Sequence, residues 1–459
     1  MTRILKRGSL VLAALANVLV TGCHKNAAGA QNASPVSTSA HASLTAINHI
    51  IVIYLENRSF DNLYGEFPGA DGIAGLAPER YRQVDESGKP FDHLPQAGDA
   101  RIPLDLPNAP FNIERYIASD APTRDLMHRF YQEQLQIHGG RMDRFAMVSD
   151  ALGLTMGYYH TANLPLAAEA KKYTLADRFF HAAFGGSFFN HIYFIAAAAP
   201  TFPNAPAAMR AMFDADGHFV RDGAVTPDGY VVNTAFSVHQ PRPGFARAEN
   251  LVPAQTMPTI GDRLSAKNVS WAWYAGGWND ALAGNADSLF QFHHQPFVYF
   301  ANYADGTAER ARHLKDERDF LAAAKAGTLP SVAFVKPIGE QNEHPGYADL
   351  IAGERHTIEL IDAVRNGPNW KDAAIIITYD ENGGFWDHVA PPVRDRWGPG
   401  TRVPTIIISP FARRGYVDHT TYDTMSILAF IEHRFGLTPL GAPDARAADL
   451  HAAFDFKVR

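Results

Sequence analysis

The chain has 459 residues, 46% of them apolar, and a formal net charge of −7. That length can bury a large core, and the acidic balance without clusters of Lys or Arg argues against a nucleic-acid partner. The single cysteine, Cys23, rules out an internal disulfide.

Arg3, Lys6 and Arg7 precede an apolar segment from Leu10 to Val20, which ends in Leu19-Val20-Thr21-Gly22-Cys23. A basic start, a short apolar stretch and small residues before a cysteine make a secretory signal over residues 1–23, too short for a comfortable membrane span. Leu19 to Cys23 resemble a bacterial lipobox, in which Cys23 would carry the lipid. The expectation is an exported protein anchored to a bacterial membrane, on the periplasmic or cell-surface side. Residues 24–45, rich in Ala, Ser, Asn and Gln without apolar periodicity, read as a flexible tether. No second linker, repeat or charge block follows, so residues 46–459 read as one domain with loop-rich insertions near 76–123 and 201–258.

The folded part opens with a strand over Asn48 to Leu55, and Glu56 and Asn57 stand at its end. Arg124 to Ile137 has the apolar stripe of a helix, which His138-Gly139-Gly140 would close. His138 there is equally a C-terminal cap favoured by the helix dipole or a functional group. A second helix is expected over Asn163 to Tyr173. In His181 to His191, two glycines precede Ser187, and the apolar run Phe188 to Ala198 reads as a buried helix. Ser187 then sits at a helix amino terminus, where unsatisfied N–H groups and the dipole favour an anion. Ordinary capping by serine explains the same pattern.

A helix over Thr259 to Lys267 and a strand over Val269 to Tyr274 follow, and then the adjacent His293 and His294. Neighbouring residues diverge in regular structure, so these two suit phosphate-oxygen donation more easily than one shared metal. The strand Ser331 to Val335 leads to Glu343-His344-Pro345-Gly346, where the proline holds His344 extended. After a helix over Gly353 to Asn366, the run Ile375 to Tyr379 reads as a buried strand ending in Asp380 and Glu381. Adjacent carboxylates repel unless a cation lies between them. Parallel pairing of the two strands would bring Glu56, Asn57, Asp380 and Glu381 together as oxygen ligands for one divalent metal: Ca, Mg, Mn or Zn. Asp387 and His388 follow closely, either orienting those ligands from behind or stabilising the loop. A strand over Val403 to Ser409 and a helix over Thr424 to Phe435 complete an α/β fold, a largely parallel central sheet flanked by helices.

The blocks His49 to Gly72, Gly185-Gly186-Ser187-Phe188, Glu343 to Gly346 and Asp380 to Gly384, in that order, resemble the bacterial phosphoesterase family that unites acid phosphatase A with the non-haemolytic and haemolytic phospholipases C. The resemblance implies an alkaline-phosphatase-like core with Glu56, Asn57, Asp380 and Glu381 as metal ligands. It also implies Ser187 as nucleophile, its oxygen touching the metal. Serine rather than threonine there, and little chain beyond Phe435, lean towards the acid phosphatase branch. A phosphomonoesterase is thus expected, with phospholipase C as the alternative and a non-catalytic binding lipoprotein a distant third. His138, His293, His294 and His344 would contact the phosphate oxygens, and one protonated histidine would serve the leaving alcohol. Such a mechanism predicts activity that falls as pH rises.

Overall fold

A computed structural model describes residues 44–96 and 99–457. The expected signal segment, its lipidation site Cys23 and residues 24–43 of the expected tether lie outside the described residues. At the tether's end Leu44 is fully buried, so packed chain starts two residues before the expected boundary.

Eight strands build the main sheet: β1 (His49–Leu55), β2 (Thr174–Ala176), β3 (Trp271–Ala275), β4 (Leu314–Asp316), β5 (Val332–Lys336), β6 (Ala373–Tyr379), β7 (Thr405–Ile408) and β8 (Tyr416–Asp418). They lie in the order β8-β2-β7-β6-β1-β5-β3-β4. All the pairings are parallel except those of β7, which runs antiparallel to both β6 and β2. The sheet is therefore largely parallel, as expected, with one reversed strand. β1 lies between β5 and β6, with Leu55 opposite Tyr379 and Ile53 opposite both Val335 and Ile377. Every residue of β5 and β6 is buried, which is why both read as unbroken runs rather than alternating ones.

Helices α1 (Phe130–Ile137), α2 (Ser187–Ala196), α3 (Glu317–Ala326), α4 (Leu350–Arg365) and α5 (Thr424–Phe435) surround the sheet. Phe194 of α2 packs on Trp273, while Phe320 of α3 packs on Tyr274. Consecutive residues of a strand face opposite sides, so these helices cover opposite faces. No helix among the described residues is long and apolar enough to cross a membrane.

Two expectations change. The helix expected from Arg124 begins only at Phe130, because residues 126–129 pass without helical structure between two glycine loops. A Cβ on Gly185 would lie 2.5 Å from the Phe130 nitrogen, and one on Gly384 would lie 2.5 Å from the Met127 carbonyl oxygen. A helix, about 10 Å across, does not fit that gap. Residues 76–123 are also more than a surface excursion, since Leu94, Ile102, Leu106, Phe111, Ile113 and Ile117 enter the core.

Near the end of α5, Glu432 is buried, and burial followed by its neighbour Asp444 pushes its carboxyl up to about 9. A carboxyl raised in the folded state contributes nothing below its unfolded value and destabilises increasingly as pH rises towards the folded one. Glu432→Gln is expected to leave stability unchanged at pH 4 and raise it by about 1–3 kcal/mol at pH 8, read from denaturant unfolding at the two pH values.

Candidate active site

The carboxyl ends of β1 and β6 place Glu56, Asn57, Asp380 and Glu381 side by side, all fully buried. Asn57 has a left-handed backbone (φ 66°), which asparagine tolerates better than most residues. Its N–H donates to Asp380 Oδ1 at 3.1 Å, and the Glu381 N–H donates to the same oxygen at 2.8 Å. Asn342 Nδ2 and the Tyr347 hydroxyl (3.2 Å) donate to Glu56 Oε2.

Each carboxylate keeps one buried oxygen without a hydrogen-bond partner: Glu56 Oε1, Asp380 Oδ2 and Glu381 Oε1. Burial, opposed by Lys336 and reinforced by Glu56, pushes Asp380 up to about 6. Burial and the charge of Asp380 push Glu381 well above the usual carboxylate range. Burial would raise Glu56 as well, but His294 and Lys336 beside it hold it well below. Lys336, the last residue of β5 and wholly buried, sets its Nζ 3.4 Å from Glu56 Oε1 and 3.8 Å from Asp380 Oδ2, and donates to the Leu55 carbonyl. Among the described residues Lys336 is the one ammonium in contact with this cluster, so its acidic groups remain short of positive charge, which a divalent cation would supply. Glu56 Oε1, Asp380 Oδ2 and Glu381 Oε1, with the Asn57 amide oxygen, are hard donors of the type such an ion takes, although it is Glu56, with His293 and His294, whose ligating atoms lie within 4.8 Å of one another.

Ser187 opens α2, and the capping position before it belongs to Gly186, so the serine hydroxyl does not cap the helix. It donates instead to Asn57 Oδ1 at 3.1 Å. One turn further along α2, His191 approaches the Ser187 carbonyl (2.7 Å) and Asp380 Oδ2 (3.7 Å).

Above the serine lies a cavity of about 260 Å³, walled in part by Glu56, His128, Arg129, Ser187, His293 and His344. Asn233 and Thr234 of the insertion 201–258 also line it, so that insertion does shape the mouth. His344 Nδ1 lies 2.5 Å from the Pro345 carbonyl, leaving Nε2 for other partners, and the ring stacks on Tyr347. His293 and His294 sit in a short 3₁₀ turn, Phe292–His294. There the two rings and Glu56 bring ligating atoms within 4.8 Å of one another, and His294 Nε2 is in ion-pair contact with Glu56 Oε1. Burial lowers His293 and His344 and brings His294 to about 4.

Three expected residues stand elsewhere. His138 does not line this cavity: it adopts the left-handed cap of α1 and its ring pairs with Asp143 at 2.6 Å and with Arg141. The histidine that this segment contributes is His128, with Nδ1 2.5 Å from the Leu126 carbonyl and Nε2 3.4 Å from Asn57 Nδ2 and 3.9 Å from Glu381 Oε1. Asp387 and His388 turn away from the carboxylates, although they follow them closely in sequence. Asp387 binds Arg402 at 2.8 Å and the Asp61 N–H, and His388 Nδ1 lies 2.7 Å from Asp61 Oδ2. They stabilise the loop, the simpler of their two readings. Lys336 and His128 escaped the sequence reading. A lysine ending an apolar strand was the one available signal for the first, and the expected helix hid the second.

A serine at a helix amino terminus beside buried carboxylates at the carboxyl edge of a parallel sheet is an arrangement that suits attack on a phosphoric ester. The chain belongs to the Phosphoesterase family, whose model matches residues 47–438. It is 25% identical to a non-hemolytic phospholipase C of Pseudomonas aeruginosa over 465 residues, covering 91% of this chain and 58% of the relative's length. It is 26% identical to phospholipase C A of Mycobacterium tuberculosis, covering 92% of this chain and 81% of the relative. Among solved structures, an alkaline-phosphatase-superfamily protein from Vibrio parahaemolyticus is similar at a TM-score of 0.36 and 10% identity, over 65% of each chain.

Gly384 (φ 75°) meets residues 126–130 too closely for any side chain. Gly384→Ala is expected to destabilise the fold by about 1–3 kcal/mol and to weaken divalent-ion binding. Thermal unfolding and calorimetric titration with Mn²⁺ check the two effects.

Proposed function

We propose that the chain is a metal-dependent acid phosphatase that cleaves phosphomonoesters through a phosphoseryl intermediate on Ser187. The observation that carries this reading is the group of buried acidic side chains, each with an oxygen free of hydrogen bonds, next to Asn57, which accepts the Ser187 hydroxyl. Glu56, Asn57, Asp380 and Glu381 would hold the ion, with the Ser187 oxygen facing it. A bound divalent ion would supply charge neutralisation for the phosphoryl oxygens and favour ionisation of Ser187. Ser187, its proton released to solvent, attacks phosphorus through Oγ. The helix amino terminus stabilises the equatorial oxygens, and so do His128, His293 and His344 in their protonated forms, the Nδ1–H of His128 and of His344 being turned to a backbone carbonyl. As the bond to the leaving group breaks, one of these histidines gives that oxygen a proton, and water then hydrolyses the phosphoserine.

The size and lining of the cavity support a monoester. Some 260 Å³ accommodates a phosphoryl group with a small leaving group. Arg129 at its mouth is paired with Asp222, and the one non-histidine aromatic side chain in the lining, Tyr347, lies against His344. A quaternary ammonium headgroup is bound by open aromatic faces, and among the described residues the lining offers none. The alternative, phospholipase C, is favoured by the names of the relatives at 25–26% identity. Export and lipid anchoring through Cys23 complete the proposal.

Ser187→Ala should lower hydrolysis of a small aryl phosphate by about 10³-fold or more while the protein stays folded. The same substrate panel distinguishes the two readings: release of phosphocholine from phosphatidylcholine outpacing phosphate release from the aryl ester would establish the alternative. His344 is held below 6.5 by burial. If it supplies the proton, its acid form in the free enzyme disappears as pH rises through that lowered value. A kcat/KM profile should then fall between mildly acidic and neutral pH, and His344→Ala should flatten it. A rate constant from acid to alkaline pH would refute the assignment.

A further inference from the structure

A cavity of about 1290 Å³ opens at the edge of the sheet opposite Ser187. Asn48 and Asp372, which precede β1 and β6, line it, as does Pro410, which follows the reversed strand β7. Its wall carries four exposed cations, Lys172, Lys371, Arg413 and Arg414. Among the described residues none of the four makes an ion pair with a carboxylate. Three of them lie over aromatic rings instead: Arg414 at 4.2 Å and Lys172 at 5.2 Å from the Tyr173 ring centre, and Arg413 at 4.8 Å from that of Tyr416. Stacking on a ring fixes a cation without neutralising it. Two carboxylates share the wall, but Asp372 accepts from Asn48 Nδ2 at 2.8 Å and Asp455 from the Lys457 N–H at 3.0 Å. In a chain of net charge −7 this is a local excess of the opposite sign.

We infer that this groove docks the protein on the anionic headgroups of a phospholipid membrane. Clustered cations without a carboxylate partner match a surface that repeats one negative charge per headgroup, and each lysine or arginine near such a surface adds to binding. The described chain also enters at this groove, because Thr45 and Ala46 line it and residues 1–43 precede them. In the docked orientation the Ser187 cavity, at the carboxyl ends of β1 and β6, faces away from the bilayer and is open to soluble esters.

The test is sedimentation of the full chain with vesicles of phosphatidylcholine alone and of phosphatidylcholine mixed with phosphatidylglycerol, at low and high salt. Wild type should prefer the anionic vesicles by about tenfold or more, with the preference shrinking as salt screens it. The triple variant Lys371→Glu, Arg413→Glu, Arg414→Glu should lose the preference while hydrolysing an aryl phosphate at the wild-type rate. A milder double variant, Lys172→Gln and Lys371→Gln, should show a partial loss if the triple variant does not fold. Equal binding of wild type to both vesicle types would overturn the inference, as would an undiminished preference in variants that remain active. Retention on double-stranded DNA by a protein with no lipid preference would assign the groove to a nucleic acid and overturn it likewise.

Discussion

Three carboxylates buried at two neighbouring strand ends are the constraint on which the rest of this structure depends. Parallel pairing of β1 with β6 makes neighbours of two strand ends that are more than 300 residues apart, and each delivers acidic groups into a region from which water is excluded. Left alone, such a cluster would take up protons or force the strands apart. Its surroundings answer the charge in pieces. Lys336 supplies one full positive charge, two backbone N–H groups hold Asp380, and Asn342 and Tyr347 hold Glu56. What remains uncompensated is directed at the oxygen of Ser187, so the electrostatic strain of the fold and its chemistry are one feature.

The second organising element is the stretch 126–130. Gly185 belongs to the loop that presents the serine and Gly384 to the loop that presents the carboxylates, and both press on these residues. Two loops from distant parts of the chain are thereby held in register through a third segment, which places His128 between them. The glycines serve contact between backbones rather than local flexibility.

Much of this was legible in the sequence, for identifiable reasons. Strands buried on both faces leave continuous apolar runs, so β1, β5 and β6, and the acidic groups at the ends of β1 and β6, could be read directly. Ser187 at the head of a buried helix was equally visible, and α5 has the bounds expected for it. What could not be read was set by tertiary contact. Leu126, Met127, Phe130 and Ile137 satisfy a helical period, yet the gap between two loops keeps the first residues out of the helix and exchanges His138 for His128. Asp387 and His388 are near the ligands in sequence, but the buried guanidinium of Arg402 draws them away. The apolar residues of 76–123 are buried at irregular intervals, which leaves no periodic signal. The cations of the groove come from positions 172, 371, 413 and 414, so no local run of basic residues announces them.

The raised carboxyl of Asp380, near 6, carries a further consequence. Protons and a divalent ion compete for the same oxygens, so loading the site releases protons and becomes less favourable as the medium grows more acidic. Protonation of a histidine for the leaving group pulls in the opposite sense. Under the proposed mechanism the acidity that suits this protein best would be a compromise between filling the site and supplying the proton, and its position would shift with the concentration of metal around the protein.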